Sequence, residues 1–321
     1  MKEVMLVSHL EEDVLYYRFC HSCSSVTEYA SHPHMSQPRL LLVHAHPDDE
    51  TINNGVTMAK YVDQGCHVTL VTCTRGEEGE VLVPELAHLA SSHDDALGPH
   101  REIELRDAML ALGVKDFRFL GAPTKSWRDS GMMGSEPNNR SDNFWNANLD
   151  DAAEHLVSVI LEIQPHVLIT YDEIGGYGHP DHIQAHRVAM RGAELARERG
   201  WDIPKIYWNT IPRSIIEQGI EAMKGTGNQF FGVDKAEDFP FAQPDELVTT
   251  VINGEDYVEK KMAAMRAHPT QISVDGPFFA LSDNLGFKVW GLEFYRLVRG
   301  QAGPDRNSDG RETDLFSGLA L

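Results

Sequence analysis

The chain has 321 residues, 41% of them hydrophobic, which is enough for one large α/β domain or for a domain with a smaller cap. Lys+Arg 28 against Asp+Glu 49 leaves a formal net charge of −21, a surface that repels phosphate backbones and anionic lipid, so nucleic-acid and membrane roles are disfavoured. No apolar run approaches the roughly 20 residues needed to span a bilayer, and acidic residues interrupt the opening MKEVMLVSHLEEDV too early for a signal peptide, so a cytoplasmic protein is expected.

Residues 1–38 mix short apolar pieces with Ser, His and Pro and show no sustained period. Met35 opens MSQPRLLLVHA, which reads as a native start, so residues 1–34 are either a translated upstream extension or an arm. Cys20 and Cys23 form a C-x-x-C there, without a second pair to complete a zinc knuckle. Cys66 and Cys73 stand at opposite ends of one strand and cannot readily bridge.

From Arg39 the pattern is α/β. RLLLVHA (39–45) is a continuous apolar run, as a strand buried on both faces requires. A helix follows over 51–64, stopped by Gly65, then a strand over 66–73 and the polar loop 75–80. Helix 101–113, strand 116–121, helix 150–164, strand 166–172, helix 181–199 and strand 205–211 continue the alternation. The fold class expected is a Rossmann-like, mostly parallel sheet flanked by helices, with a smaller C-terminal α/β region. The division expected is an extension over 1–38, a metal-binding domain over 39–211, a region over 212–300 that completes the substrate site, and a disordered tail over 301–321.

Two polar clusters follow buried strands, at the edge of a parallel sheet where ligands gather. The first is His44-Ala45-His46-Pro47-Asp48-Asp49-Glu50. Pro47 keeps His46 extended, and Asp48 or Asp49 can cap the next helix. A helix cap explains one aspartate, but not a histidine beside two aspartates and a glutamate. The second runs from Tyr171 to His182 and contains Gly175, Gly176 and Gly178 before His179-Pro180-Asp181-His182. Together they offer His, Asp and His donors in the pattern of an open catalytic zinc site, since a structural site is closed by four ligands, usually with thiolates. Asp48, beside Asp49, is the natural base for a metal-activated water. His182 and His186, four apart on one helix, are a rival pair, but Ile183 stands where a zincin carries its glutamate, so His186 is read as a supporting residue.

At this point the residues resemble a known family. His-Pro-Asp-Asp-Glu after the first strand and His-Pro-Asp-His far downstream are similar to the LmbE-like (PIG-L) superfamily of zinc N-deacetylases. VTCTRGEEGEV, WRDSGM, ITYDEIGGYGHPDH, AHPTQI and FALSDNLG resemble its mycothiol-pathway branch. The resemblance runs from about Leu40 to about Gly300 and implies Zn2+, with Fe2+ as an alternative. It implies His46, Asp49 and His182 as metal ligands and Asp48 as general base. It implies Tyr177 as stabiliser of the tetrahedral oxyanion, His179 as a helper through its charge or as a proton donor, and Asp181 as an orienting residue for the charged groups nearby. Arg101 and Asp129 fall in segments that resemble the sugar- and inositol-binding positions. The implied partner is a small molecule, an N-acetyl-glucosaminyl-inositol. A sister amidase acting on mycothiol S-conjugates shares this site, and a non-catalytic sugar-binding protein on the same fold would have lost a ligand or the base. Every one of those residues is present.

Overall fold

The computed structural model describes residues 7–10, 13–16, 37–224, 235–239, 242–274 and 290–321. Contacts divide the chain into two compact units, one of residues 1–37 with Leu321 and one of residues 38–320. In the first, β1 (Val7–Leu10) and β2 (Asp13–Tyr16) pair antiparallel as a hairpin. The C-x-x-C of Cys20 and Cys23 lies outside the described residues.

The second unit carries the site. Its elements in chain order are β3 (Arg39–His44), α1 (Asp49–Asp63), β4 (His67–Thr72), α2 (Leu97–Leu112), β5 (Asp116–Phe119), α3 (Leu149–Ile163), β6 (Val167–Thr170), the single turn α4 (Gly175–Gly178), α5 (Pro180–Glu198), β7 (Lys205–Pro212), α6 (Arg213–Met223), β8 (Ala242–Gln243), β9 (Thr250–Asn253), α7 (Val258–Arg266) and β10 (Leu292–Arg299). The strands form one sheet in the order β5-β4-β3-β6-β7-β10-β9, with β8 paired to the end of β7. Pairing is parallel from β5 through β7 and antiparallel where β10 joins β7 and β9.

Sequence chemistry explains the layering. Leu40, Leu41, Leu42 and Val43 of β3 are wholly buried, as expected for a central strand covered on both faces. Leu41 and Val43 pack with Leu156 and Ile160 of α3 and with Ala185, Val188 and Ala189 of α5. The small alanines of α5, and Gly192 against Leu156, allow α3 and α5 to approach closely. Val56 of α1 packs with Val258, Met262 and Met265 of α7 in a second cluster. The chain leaves β3 toward β4 on one side, while β6 pairs on the other, so the crevice beyond β3 and β6 is the topological switch point where α/β folds bind ligands.

Within 212–300, β9 and β10 extend the same sheet. One expectation about the C-terminal part is corrected. Residues 301–321 are a packed strap rather than a disordered tail. Leu315 and Phe316 are buried, Asp314 accepts from the Tyr61 hydroxyl at 2.8 Å, and the buried Glu312 pairs with Lys205 and accepts from Tyr207 at 2.6 Å. A segment dominated by polar residues and glycine hides how few apolar anchors and one buried ion pair suffice to fix it. Cys66 and Cys73 are buried free thiols, as the strand geometry predicts. Among the described residues no helix is long and apolar enough to cross a membrane.

Candidate metal centre

Both polar clusters emerge at the switch point. β3 ends at His44, and Asp49 opens α1. The turn between them is tight: Asp48 sits at the N-cap with φ 111°, a conformation rarely adopted by a non-glycine residue. Its carboxylate makes no capping hydrogen bond and lies 3.4 Å from the Arg101 guanidinium, so the capping role considered for Asp48 is not what is found. On the other side α5 begins with Pro180 in its first turn, and His179 caps it, its Nδ1 accepting from the Asp181 amide at 3.1 Å. The turn Gly175–Gly178 needs its glycines: Gly175 has φ 64°, and a Cβ there would lie 2.6 Å from that of His182.

Asp49 Oδ2 is the centre of the cluster, 3.4 Å from His46 Nδ1 and 3.4 Å from His182 Nε2. Metal–ligand bonds of about 2.0–2.1 Å at tetrahedral angles place ligand atoms about 3.4 Å apart. Asp49 Oδ2 therefore lies at ligand spacing from each of the two imidazoles. His182 Nε2 is buried with no hydrogen-bond partner among the described residues, as an imidazole aimed at a cation would be. Its Nδ1 faces the Gly175 carbonyl at 3.2 Å, the second contact that sets a ligand's tautomer. Its ring stacks on Tyr171, with centroids 4.3 Å apart.

The surroundings are strongly acidic. His46 Nε2 lies 3.2 Å from Asp181 and 3.6 Å from Asp129. Burial opposes charge on the His46 ring, yet Asp129, Asp181 and Asp49 outweigh it and raise its proton affinity. The same field favours a metal cation in place of that proton. For Asp49, burial is likewise overcome, by His182 and His46, which hold its carboxyl well below the usual range. Asp48 differs: burial, reinforced by Asp49 and Glu50 and opposed by Arg101, pushes it up to about 6. Burial, with His46 and His182 nearby, lowers His179 to about 3, so the ring is neutral. Because its Nδ1 accepts a hydrogen bond, the proton of that neutral ring belongs on Nε2. Burial and the negative Asp49 raise the Tyr177 hydroxyl, which stays protonated and able to donate.

His46, His179 and His182 bring ligand atoms within 4.8 Å of one another, as do His46, Asp129 and Asp181, while Asp49 lies against His46 and His182. Tyr177 presents its ring edge to His182, with centroids 4.9 Å apart. His186 stays outside the cluster: its Nδ1 bonds the Tyr171 carbonyl at 2.9 Å, and its ring meets Trp208. Arg101 and Asp129 are both buried and hold loops. Arg101 donates to the carbonyls of Gly76, at 2.8 Å, and of Pro47. Asp129 accepts from the amides of Gly131 at 2.8 Å and Glu78 at 3.2 Å. Sequence reasoning missed Ser130, whose amide and hydroxyl both hold Asp181. It also missed Tyr171, whose hydroxyl accepts from the Ala45 amide at 2.9 Å and meets His44 Nδ1 at 3.1 Å. Both lie inside quoted motifs, but no spacing rule assigns a serine to an aspartate 51 residues away.

The chain is similar to a known family and to several characterised sequences and structures. Residues 41–193 match the family described as PIG-L: GlcNAc-PI de-N-acetylase. A relative from Geodermatophilus obscurus is 58% identical over 291 residues, 88% of this chain and 98% of that protein. One from Streptomyces avermitilis is 54% identical over 292 residues, 88% of this chain and 97% of that protein. Both are named 1D-myo-inositol 2-acetamido-2-deoxy-alpha-D-glucopyranoside deacetylase. Among solved structures, the N,N'-diacetylchitobiose deacetylase from Pyrococcus horikoshii superposes with a TM-score of 0.54 at 18% identity, over 83% of this chain and 85% of that one. The 4-carboxy-2-hydroxymuconate hydratase GalB from Pseudomonas putida gives a TM-score of 0.55 at 18% identity, over 84% and 100%. A deacetylase and a hydratase sharing one architecture show that the fold alone does not fix the reaction.

Proposed function

The chain belongs to the PIG-L (GlcNAc-PI de-N-acetylase) family, and from that premise we propose that it hydrolyses the acetamide of 1D-myo-inositol 2-acetamido-2-deoxy-alpha-D-glucopyranoside to acetate and the free amine, a step of mycothiol biosynthesis. The observation that carries the reading is Asp49 Oδ2 at metal-ligand spacing from both His46 and His182, with the Asp48 carboxylate next to it in the chain. Two imidazoles and one carboxylate suit zinc, with ferrous iron as the alternative. A metal held there would supply Lewis acidity, to polarise the amide carbonyl and lower the pKa of a water.

This chain's residues do the rest. Asp48 takes the proton of the attacking water, and its carboxyl lies close enough to neutrality to pass that proton to the leaving amine. Tyr177 and the Nε2–H of His179 are the donors for the oxygen that gains charge as the carbonyl carbon becomes tetrahedral. The glycine-bounded turn Gly175–Gly178 lets the Tyr177 ring adjust as substrate enters. Asp181, held by Ser130, fixes the His46 ring. Arg101 and Asp129 form the wall on the sugar side. Arg101 Nε, buried and without a hydrogen-bond partner among the described residues, is the donor left for a substrate hydroxyl.

Paired assays test the proposal. Acetate release from N-acetyl-glucosaminyl-inositol should exceed cleavage of a bulkier mycothiol S-conjugate amide. The reverse preference would make the protein a conjugate amidase, and metal binding with no hydrolysis of either would point to a sugar-binding protein.

A further inference from the structure

The catalytic turn is gripped from a part of the chain far from it. The peptide unit between Pro47 and Asp48 is held at both ends: its carbonyl accepts from Arg101, and its amide donates to Glu50 Oε2 at 3.0 Å. That unit leads into the positive φ of Asp48, a backbone state that persists only where the surroundings enforce it. Glu50 is wholly buried, and its second oxygen accepts from the Thr51 hydroxyl at 2.6 Å and from His268 Nε2 at 3.1 Å. His268, also wholly buried, follows α7 and lies 218 residues along the chain from Glu50. The same short segment ties down its other neighbours. Thr270 donates twice to Glu104 of α2, at 3.0 and 2.7 Å, and its carbonyl accepts from the Leu82 amide at 2.9 Å.

We propose that His268 is a positioning residue for the deacetylation reaction, acting through Glu50 to hold the Pro47–Asp48 peptide and so to aim the Asp48 carboxylate. This rests on the reading of Asp48 as general base. A carboxylate only accepts hydrogen bonds, so His268 Nε2 is the donor and fixes which Glu50 oxygen is left for the Asp48 amide. Without that donor the buried Glu50 is under-satisfied and free to rotate, and the strained turn loses one of its two restraints. His182 keeps its contact to Gly175 and His46 its contact to Asp181, so the effect falls on the base and not on metal affinity.

The test compares His268→Leu, His268→Gln and Thr270→Val in the full-length, metal-loaded protein, reading kcat, KM, metal content and amide hydrogen exchange at Asp48. Thr270→Val loosens the same segment without touching Glu50. We expect His268→Leu to lower kcat about ten-fold or more, since small displacements of a reacting group are costly, with KM within about two-fold and one metal still bound. The Asp48 amide should lose its protection. His268→Gln, whose amide can still donate to Glu50, should recover most of both, and Thr270→Val should leave both near wild type. Unchanged kcat and unchanged Asp48 protection in His268→Leu would overturn the inference, as would equal losses in His268→Leu and Thr270→Val. If the wild type released no acetate the substrate reading would fail, while the Asp48 exchange measurement would still decide the role of His268.

Discussion

His46 Nε2 lies 3.2 Å from Asp181 Oδ2, on the opposite edge of the imidazole from the nitrogen that faces Asp49. A histidine that binds a metal through one nitrogen is commonly oriented by a carboxylate on the other. Here the carboxylate is itself pinned, because Ser130 donates to Asp181 from its amide at 2.9 Å and from its hydroxyl. Asp181 is therefore placed to orient the His46 ring.

Asp181→Asn should weaken metal affinity by about 10–100-fold, the usual cost of losing an outer-shell partner. Ser130→Ala should weaken it less, because the Ser130 amide remains. Competition with a chromophoric chelator measures both, and wild-type affinity in Asp181→Asn would show that His46 needs no such support.

Asp48→Asn should keep the metal and lose activity by about 10²–10⁴-fold, the range for a positioned general base. Metal analysis beside acetate release separates this from ligand loss, which Asp49→Asn should produce instead.

Tyr177→Phe should lower kcat by about 10²-fold, as removal of one oxyanion donor does, with a smaller change in KM. A change confined to KM would make Tyr177 a binding residue.

The strap over residues 301–321 makes a prediction about stability. Lys205 and Glu312 are both almost fully buried, so Glu312→Ala strands a buried ammonium. The expected loss is about 3–5 kcal/mol, read by urea denaturation, and Lys205→Met in the same chain should recover part of it.

His166 gives a pH signature. Burial and the adjacent Arg39 lower it to about 4, below the ordinary histidine value of 6.5. The unfolded chain then binds more protons than the folded one between these values, so His166 contributes stability that is present above about 6.5 and is lost as pH falls toward about 4. His166→Gln should flatten the stability profile across that window, and an unchanged slope would contradict the assignment.

The candidate metal centre was legible because the residues expected to hold the metal occupy two short motifs, each directly after a buried strand, and because buried apolar runs such as RLLLVHA announce parallel strands. Residues that work across the sequence were not. Ser130 reads as one serine in a loop, and His268 as a histidine past a helix; only the fold brings them to Asp181 and Glu50. Arg101 was legible as belonging near the site, but its grip on the Pro47 carbonyl depends on how close Gly76 lets it approach: a Cβ on Gly76 would fall 1.9 Å from its guanidinium. The strap was misread because Glu312, one acidic residue in a polar run, gives no sign in sequence that it is buried.

Titration of metal into the chelator-stripped protein, with acetate release from N-acetyl-glucosaminyl-inositol followed at each addition, tests the central claim most directly. Zn2+ or Fe2+ should restore release in proportion to metal bound, with a plateau at one equivalent in the wild type and no restoration in His182→Ala. Release that survives complete stripping, or a fully loaded site that releases no acetate, would contradict a metal-centred deacetylase.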